Sequence, residues 1–155
     1  MDIPSYKKHL NYAMRALSVR AHSESEMRKK LQKREGIDSE IEEAVINRLK
    51  ELNFLNDDLL INVALTNASN IYFDGHIKVA SKLYKKGIPF AKTASIWKEM
   101  GMDEKEIAAK ALARASKRFK DLPREKCFQK KARFLASKGF SPEIIFELAS
   151  KGENM

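Results

Sequence analysis

A glycine recurs at a nearly fixed interval after the same kind of segment, and this limits what the chain can fold into. Gly36, Gly87 and Gly139 stand 51 and 52 residues apart, and each ends a basic, apolar run: KKLQKREGI, SKLYKKGI and RFLASKGF. Glycine readily takes the left-handed conformation that closes a helix. The spacing therefore predicts one helical unit used three times in 155 residues, the signature of a repeat protein.

Composition agrees with helices. Six glycines and four prolines punctuate the chain, 43% of the residues are hydrophobic, and Ala, Leu, Lys, Glu and Ile are plentiful while Val, Thr and aromatic residues are sparse. The predicted class is all-α: three tandem three-helix repeats at residues 1–53, 54–101 and 102–155, forming one elongated, curved array of right-handed type.

Local signals mark the helices. Tyr6–Arg20 carries Leu10, Ala13, Met14, Leu17 and Ala21 on one face, with Ser5 as N-cap. Ser23 and Glu26 form a capping box for a helix to about Arg34, and Asp38 or Ser39 caps a third carrying Ile41, Ala44, Val45, Leu49 and Leu52. Asn56 opens the second unit, with Asp57 and Asp58 near the positive end of the helix dipole and a predicted buried stripe of Leu59, Leu60, Val63, Ala64 and Ile71. Helices at His76–Lys86 and Ala91–Met100 follow. In the third unit Asp103 caps a helix to about Phe119, Arg124–Lys138 is the middle helix, and Ser141-Pro142 starts the last, with Lys151–Met155 expected to fray. The units differ in one turn: leucine precedes glycine by five residues at Leu31–Gly36 but by four at Leu83–Gly87 and Leu135–Gly139.

Several chemistries find no support. No apolar stretch approaches the roughly 20 residues of a membrane span, and MDIPSYKKHL lacks the apolar segment of a secretory signal, so a cytoplasmic location is expected. The lone Cys127 reads as a half-buried small residue. His9, His22 and His76 have no partner at ligand spacing and read as exposed or capping. Glu40, Glu42 and Glu43 read as a solvated helix face, and Tyr84 and Trp97 as core. With no phosphate-binding glycine loop or nucleophile motif, neither enzymatic activity nor a cofactor or metal is expected.

Charge is the remaining lead. The net charge is +9, and the units hold eleven basic against nine acidic residues, six against four, and thirteen against eight. Between Asp74 and Glu99 there is no acid, only Lys78, Lys82, Lys85, Lys86, Lys92 and Lys98. At about 100° per residue Lys78, Lys82, Lys85 and Lys86 share one side of a helix, opposite Ile77, Val79, Ala80, Leu83 and Tyr84. Lys110, Arg114, Lys117 and Arg118 repeat that arrangement, and Lys126, Lys130 and Arg133 form a shorter one. A charge run alone is most simply a solvated face, but three nearly unmixed stripes point to phosphate or an acidic protein groove.

Taken in order, HSESEMRKKL, GIDSEIEEAVINRLKELNFLND, GHIKVASKLYKKGI and KARFLASKGFSPEIIFEL resemble the consecutive blocks of the RecX family of bacterial recombination regulators, over about Ala13–Ala149. The matching positions are Ser23, Glu26, Lys30, Leu31 and Gly36, then Gly75, Lys78, Leu83, Lys86, Gly87 and Ile88, then Phe134, Leu135, Lys138, Gly139, Phe140 and Ile144. The resemblance implies a monomeric crescent that lies in the groove of the RecA–single-stranded DNA filament. It implies limits on filament growth, strand exchange, ATP hydrolysis and cleavage of the SOS repressor, and so a place in DNA repair. Residues 54–101 depart from the family in containing no arginine, so their contacts are point charges without bidentate forks. The alternatives are a DNA-binding helix-turn-helix protein, with weak binding of single- or double-stranded DNA, and a scaffold for acidic proteins.

Overall fold

The computed structural model describes residues 1–151, and its described residues form helices and turns without a strand. The first unit holds α1 (Ile3–Val19), α2 (Glu24–Gln32) and α3 (Ser39–Glu51). In the second are α4 (Asp57–Asn67), a π-helical turn at Ala68–Tyr72, α5 (His76–Lys85) and α6 (Phe90–Met100). The third has α7 (Glu104–Arg114), a 3₁₀ turn at Ser116–Phe119, α8 (Arg124–Ser137) and α9 (Pro142–Ser150). Residues 152–155, to which the expected fraying extends, lie outside the described part.

The caps fall where short polar side chains stand. Ser23 Oγ accepts the Glu26 N–H at 3.0 Å while Glu26 Oε1 accepts the Ser23 N–H at 3.0 Å, completing the capping box. Asp38, Asn56 and Asp103 each accept an N–H three residues on, at 2.8, 3.0 and 3.2 Å. Two boundaries differ from expectation. Asp2 caps α1 in place of Ser5, because Pro4 can occupy the first turn, where its missing N–H is not needed. The helix expected to reach Phe119 ends at Arg114, and the tighter 3₁₀ turn brings Phe119 inward against the edge of Phe134, ring centres 5.7 Å apart.

Each unit has its own core. Met27, Leu31, Ile41, Val45, Ile46 and Leu49 fill the first, Ile61, Leu65, Val79, Leu83 and Ile88 the second, and Ile107, Ala111, Leu135, Phe140 and Leu148 the third. Full burial of each large aliphatic side chain contributes about 1.5–3 kcal/mol. Among the described residues no hydrogen bond or ion pair joins the first unit to the third, as expected of an array.

Two predicted stripes were only partly right: Leu60 and Ala64 of α4, and Leu10, Ala13 and Leu17 of α1, pack against their cores as expected, while other members do not. In α4 the buried residues are Ile61, Leu65 and then Ala68, whereas Leu59, Val63 and Ile71 stay about half exposed, at 50%, 49% and 54%. This helix is apolar on more than one side, so its period fits two registers, and α5 and α6 cover only one. In α1, His9 and Ala13 are buried while Met14 and Ala21 face out.

The recurrent glycines make the joints between units. Gly87 and Gly139 both have φ of 85° and close their helices with paired hydrogen bonds, Gly87 N–H to Tyr84 O (2.9 Å) with Ile88 N–H to Leu83 O (3.1 Å), and Gly139 N–H to Ala136 O (3.0 Å) with Phe140 N–H to Leu135 O (3.2 Å). The start of α2 sits on the first of these turns, where Ser23 Oγ donates to Lys86 O at 2.5 Å and Ser25 lies over Gly87. The start of α5 sits on the second, where Gly75 N–H donates to Lys138 O at 2.7 Å and Ile77 N–H to Gly139 O at 3.2 Å. The middle helices thus meet end to start, and carbonyls at the ends of α5 and α8 are satisfied by the starts of α2 and α5, the middle helices of the preceding units. Gly36 shares the backbone conformation, with φ of 83°, but has nothing within 4 Å of its virtual Cβ.

Candidate partner-binding surface

The π-helical turn decides which basic residues are free. It ends at Phe73, whose φ of 53° is unusual for a bulky residue, and Asp74 N–H closes it by donating to Ala68 O at 2.9 Å. The exposed carbonyls of the turn attract cations from the third unit. Arg114 donates to Ile71 O (3.0 Å) and Tyr72 O (2.8 Å) and lies 4.3 Å over the Phe73 ring, while Lys138 Nζ donates to Tyr72 O at 2.7 Å. Buried Asp74 is then held by Lys78 (3.3 Å) and Lys138 (2.9 Å). Arg114 and Lys78, two expected contact residues, are thus tied into the joint between the second and third units.

The remaining stripe residues sort by their surroundings. Lys82 and Lys85 are exposed and have no ion pair among the described residues, and Lys86 is half-buried on the side of Glu26. These three rim a groove of about 460 Å³ whose floor is Ala64, Ala68, Val79 and Leu83, with Asn67, Tyr72 and Asp74, already paired to Lys78 and Lys138, as its further walls. On α5, Ile77 and Tyr84 do not join the core: they are 42% and 58% exposed, and Tyr84 stacks on Phe90 at 4.5 Å. Lys110 pairs with Glu106 at 3.4 Å on the surface. Arg118 lies 5.5 Å over the Phe134 ring, and Lys117 belongs to the 3₁₀ turn, so the four-residue stripe expected on one helix is split between two elements. Lys126, Lys130 and Arg133 are exposed on α8 without an ion pair among the described residues.

The histidines are structural. His9 is 1% exposed and accepts the Arg34 Nε–H at 3.1 Å; burial and then Arg34 lower its pKa. His22, 3% exposed, has Nδ1 3.0 Å from Arg20 O, and burial lowers its pKa. Neither is the exposed or capping residue expected, because each fills space beside its unit's core. His76 stacks on half-buried Trp97 at 5.1 Å, with Nδ1 3.5 Å from Glu104 Oε1. Burial pushes the Glu104 pKa up, but His76 and the Ser141 N–H, 3.0 Å away, outweigh it and hold the value down. Glu42 and Glu43 bind Arg28 at 3.4 and 2.6 Å, so that acidic run links α3 to α2. Cys127 is half-buried, as expected. The described residues contain no group of metal-ligating side chains and no helix long and apolar enough to cross a membrane.

Sequence reasoning missed Asn67, Tyr72 and the free face of α4. Leu59–Phe73 contains no charged residue, the one signal that could have drawn attention to it.

Fold and surface together define a tandem three-helix repeat protein with exposed basic residues on its surface. Family models for the first and third three-helix domains of RecX match residues 10–49 and 103–148. Regulatory protein RecX of Chlorobaculum tepidum is 32% identical over 95% of this chain and 89% of that protein, and regulatory protein RecX of Prosthecochloris aestuarii is 30% identical over 90% and 89%. The crystal structure of RecX from Lactobacillus salivarius superposes with a TM-score of 0.84, covering 98% of this chain and 99% of that one at 21% identity. The chain belongs to the RecX family of regulatory proteins.

Proposed function

We propose that this protein binds the RecA filament on single-stranded DNA and restrains its recombinase, ATPase and SOS coprotease activities. Membership of the RecX family supports RecA as the partner. The observation that carries the reading on this chain is the groove beside α5, where Lys82, Lys85 and Lys86 leave positive charge unspent within the fold. A surface of this sign attracts acidic protein or exposed phosphate. An array bridging successive filament subunits shifts the filament only by binding one of its states more tightly than the other.

The direct test is RecA ATPase on single-stranded DNA with rising amounts of this protein. The expected result is a saturable fall in rate. No change at saturating protein removes the reading. Pull-down with and without nuclease separates a protein-held contact from one held only by DNA.

A further inference from the structure

Neither the fold nor the lysine groove explains the uncharged run Leu59–Phe73. In a chain with 33% charged residues, these fifteen consecutive positions carry no charge. Ile61, Leu65 and Ala68 face the core, yet Leu59 and Val63, one helical turn apart, are about half exposed on the other side of α4. A helix apolar on more than one side is ordinarily covered on more than one side. Contiguous exposed apolar surface with a polar border marks protein interfaces.

This face is continuous with the basic groove. Leu59, Asn62, Val63, Thr66 and Asn67 line a shallow depression along the outside of α4, closed at its start by Asn56 and by Asp58, whose charge Lys92 meets at 3.3 Å, and Asn67 is also a wall of the groove rimmed by Lys82, Lys85 and Lys86. Aliphatic side chains, exposed amides and lysines without an ion pair among the described residues therefore adjoin through Asn67.

We propose that this composite surface takes one amphipathic α-helix of a protein partner, its apolar stripe on Leu59 and Val63 and its carboxylates reaching Lys82 and Lys85. Charge complementarity selects the occupant: the two lysines lack an ion pair among the described residues and stand beside a neutral aliphatic strip, the pattern that an apolar stripe with an acidic flank completes. Nucleic acid would set phosphates along its whole length and leave Leu59 and Val63 without apolar partners. A second copy of this chain, itself at +9, is opposed by net repulsion. The inference rests on the filament reading above and states which face meets the filament's protein.

The test uses the purified RecA–single-stranded DNA filament as probe and measures association and dissociation rates. Leu59→Ser with Val63→Ser should raise the dissociation rate about tenfold or more, since loss of central apolar contacts acts mainly there. Lys82→Glu with Lys85→Glu should lower the association rate about tenfold at low salt, with the difference shrinking as salt is added. All four positions are exposed, so unchanged melting of both variants verifies the fold. A photoreactive residue at Asn67 should crosslink to a recombinase helix that carries carboxylates on one flank. A wild-type chain that does not bind the filament overturns both this inference and the reading beneath it. Wild-type binding that both variants retain, or a crosslink to DNA or to a second copy, overturns this inference alone.

Discussion

Gly36, Gly87 and Gly139 have the same backbone conformation but different surroundings, so alanine at each separates conformational cost from packing cost. All three have φ between 83° and 85°, a region that disfavours a Cβ by about 1–2 kcal/mol. A methyl on Gly36 meets nothing within 4 Å, so Gly36→Ala should cost only that amount. On Gly87 it would overlap Ser25 Oγ and Cβ, and on Gly139 the Lys78 backbone nitrogen and Cβ, all closer than 3.0 Å. Forced overpacking typically adds about 1–3 kcal/mol, so both joint variants should lose about 2–5 kcal/mol. The two joints can be told apart further. Every close contact at Gly87 belongs to the Ser25 side chain, and the Ser25 Cα stands off at an ordinary 3.9 Å. Adding Ser25→Gly should therefore relieve Gly87→Ala, and a double-mutant cycle should show coupling of about 1–3 kcal/mol after the intrinsic cost of glycine in α2, about 0.5–1 kcal/mol, cancels. No side-chain change can relieve Gly139→Ala, because backbone lies in the way. Urea unfolding followed by far-UV circular dichroism measures each value. Equal losses at Gly36 and Gly87, or coupling below about 0.5 kcal/mol, would refute the joint as described.

Further expectations follow from the same contacts. Because burial lowers the pKa of both His9 and His22, the unfolded chain takes up protons as pH falls below about 6.5 while the folded chain resists, so stability present above that value is lost as pH falls through the folded values. Melting temperature should fall between pH 7.5 and 5, and His9→Gln with His22→Gln should flatten that window while leaving the acid limb below about 4.5, where Glu24, Glu26 and Glu104 titrate. Arg114→Ala should destabilise by about 1 kcal/mol through its two carbonyl bonds, whereas Lys82→Ala should change chemical stability by a few tenths at most; denaturation curves compare them. Leu83→Asp, at a position 3% exposed, should cost several kcal/mol and abolish the helical signal of the middle unit.

Much of the fold was legible because its signals are local. A capping box needs only Ser23 and Glu26, and a helix stop needs only a glycine such as Gly87 after a leucine-bearing turn. The buried side of α4 was not legible, since period alone does not rank two apolar faces. The candidate surface was half legible for a related reason. Periodicity shows that Lys78, Lys82, Lys85 and Lys86 share a helix side, but whether a lysine is free depends on acceptors elsewhere. Asp74 and the π-turn carbonyls claim Lys78, Arg114 and Lys138, and a π-helical turn leaves no recognisable mark in composition. The histidines were misread because a ring that fills space beside a core needs no partner at any fixed spacing.

The glycine interval itself gains a physical meaning from the joints. A helix leaves its last carbonyls without intrahelical partners, and here donors from the neighbouring unit reach some of them: the Ser23 hydroxyl at Lys86 O, and the Gly75 and Ile77 amides at Lys138 O and Gly139 O. Such an arrangement requires a tight left-handed turn and room for the incoming chain, the Ser25 side chain at Gly87 and the Lys78 backbone at Gly139, and glycine supplies both. The first unit receives no neighbour at Gly36, so that requirement lapses. There the turn accommodates one more residue between leucine and glycine, with Arg34 N–H bonded to Leu31 O at 3.0 Å and Arg34 itself turned over the Tyr12 ring and onto His9. The extra residue thus marks a turn that no other unit covers, where side chains of α1 cover the helix terminus that the preceding unit covers at Gly87 and Gly139.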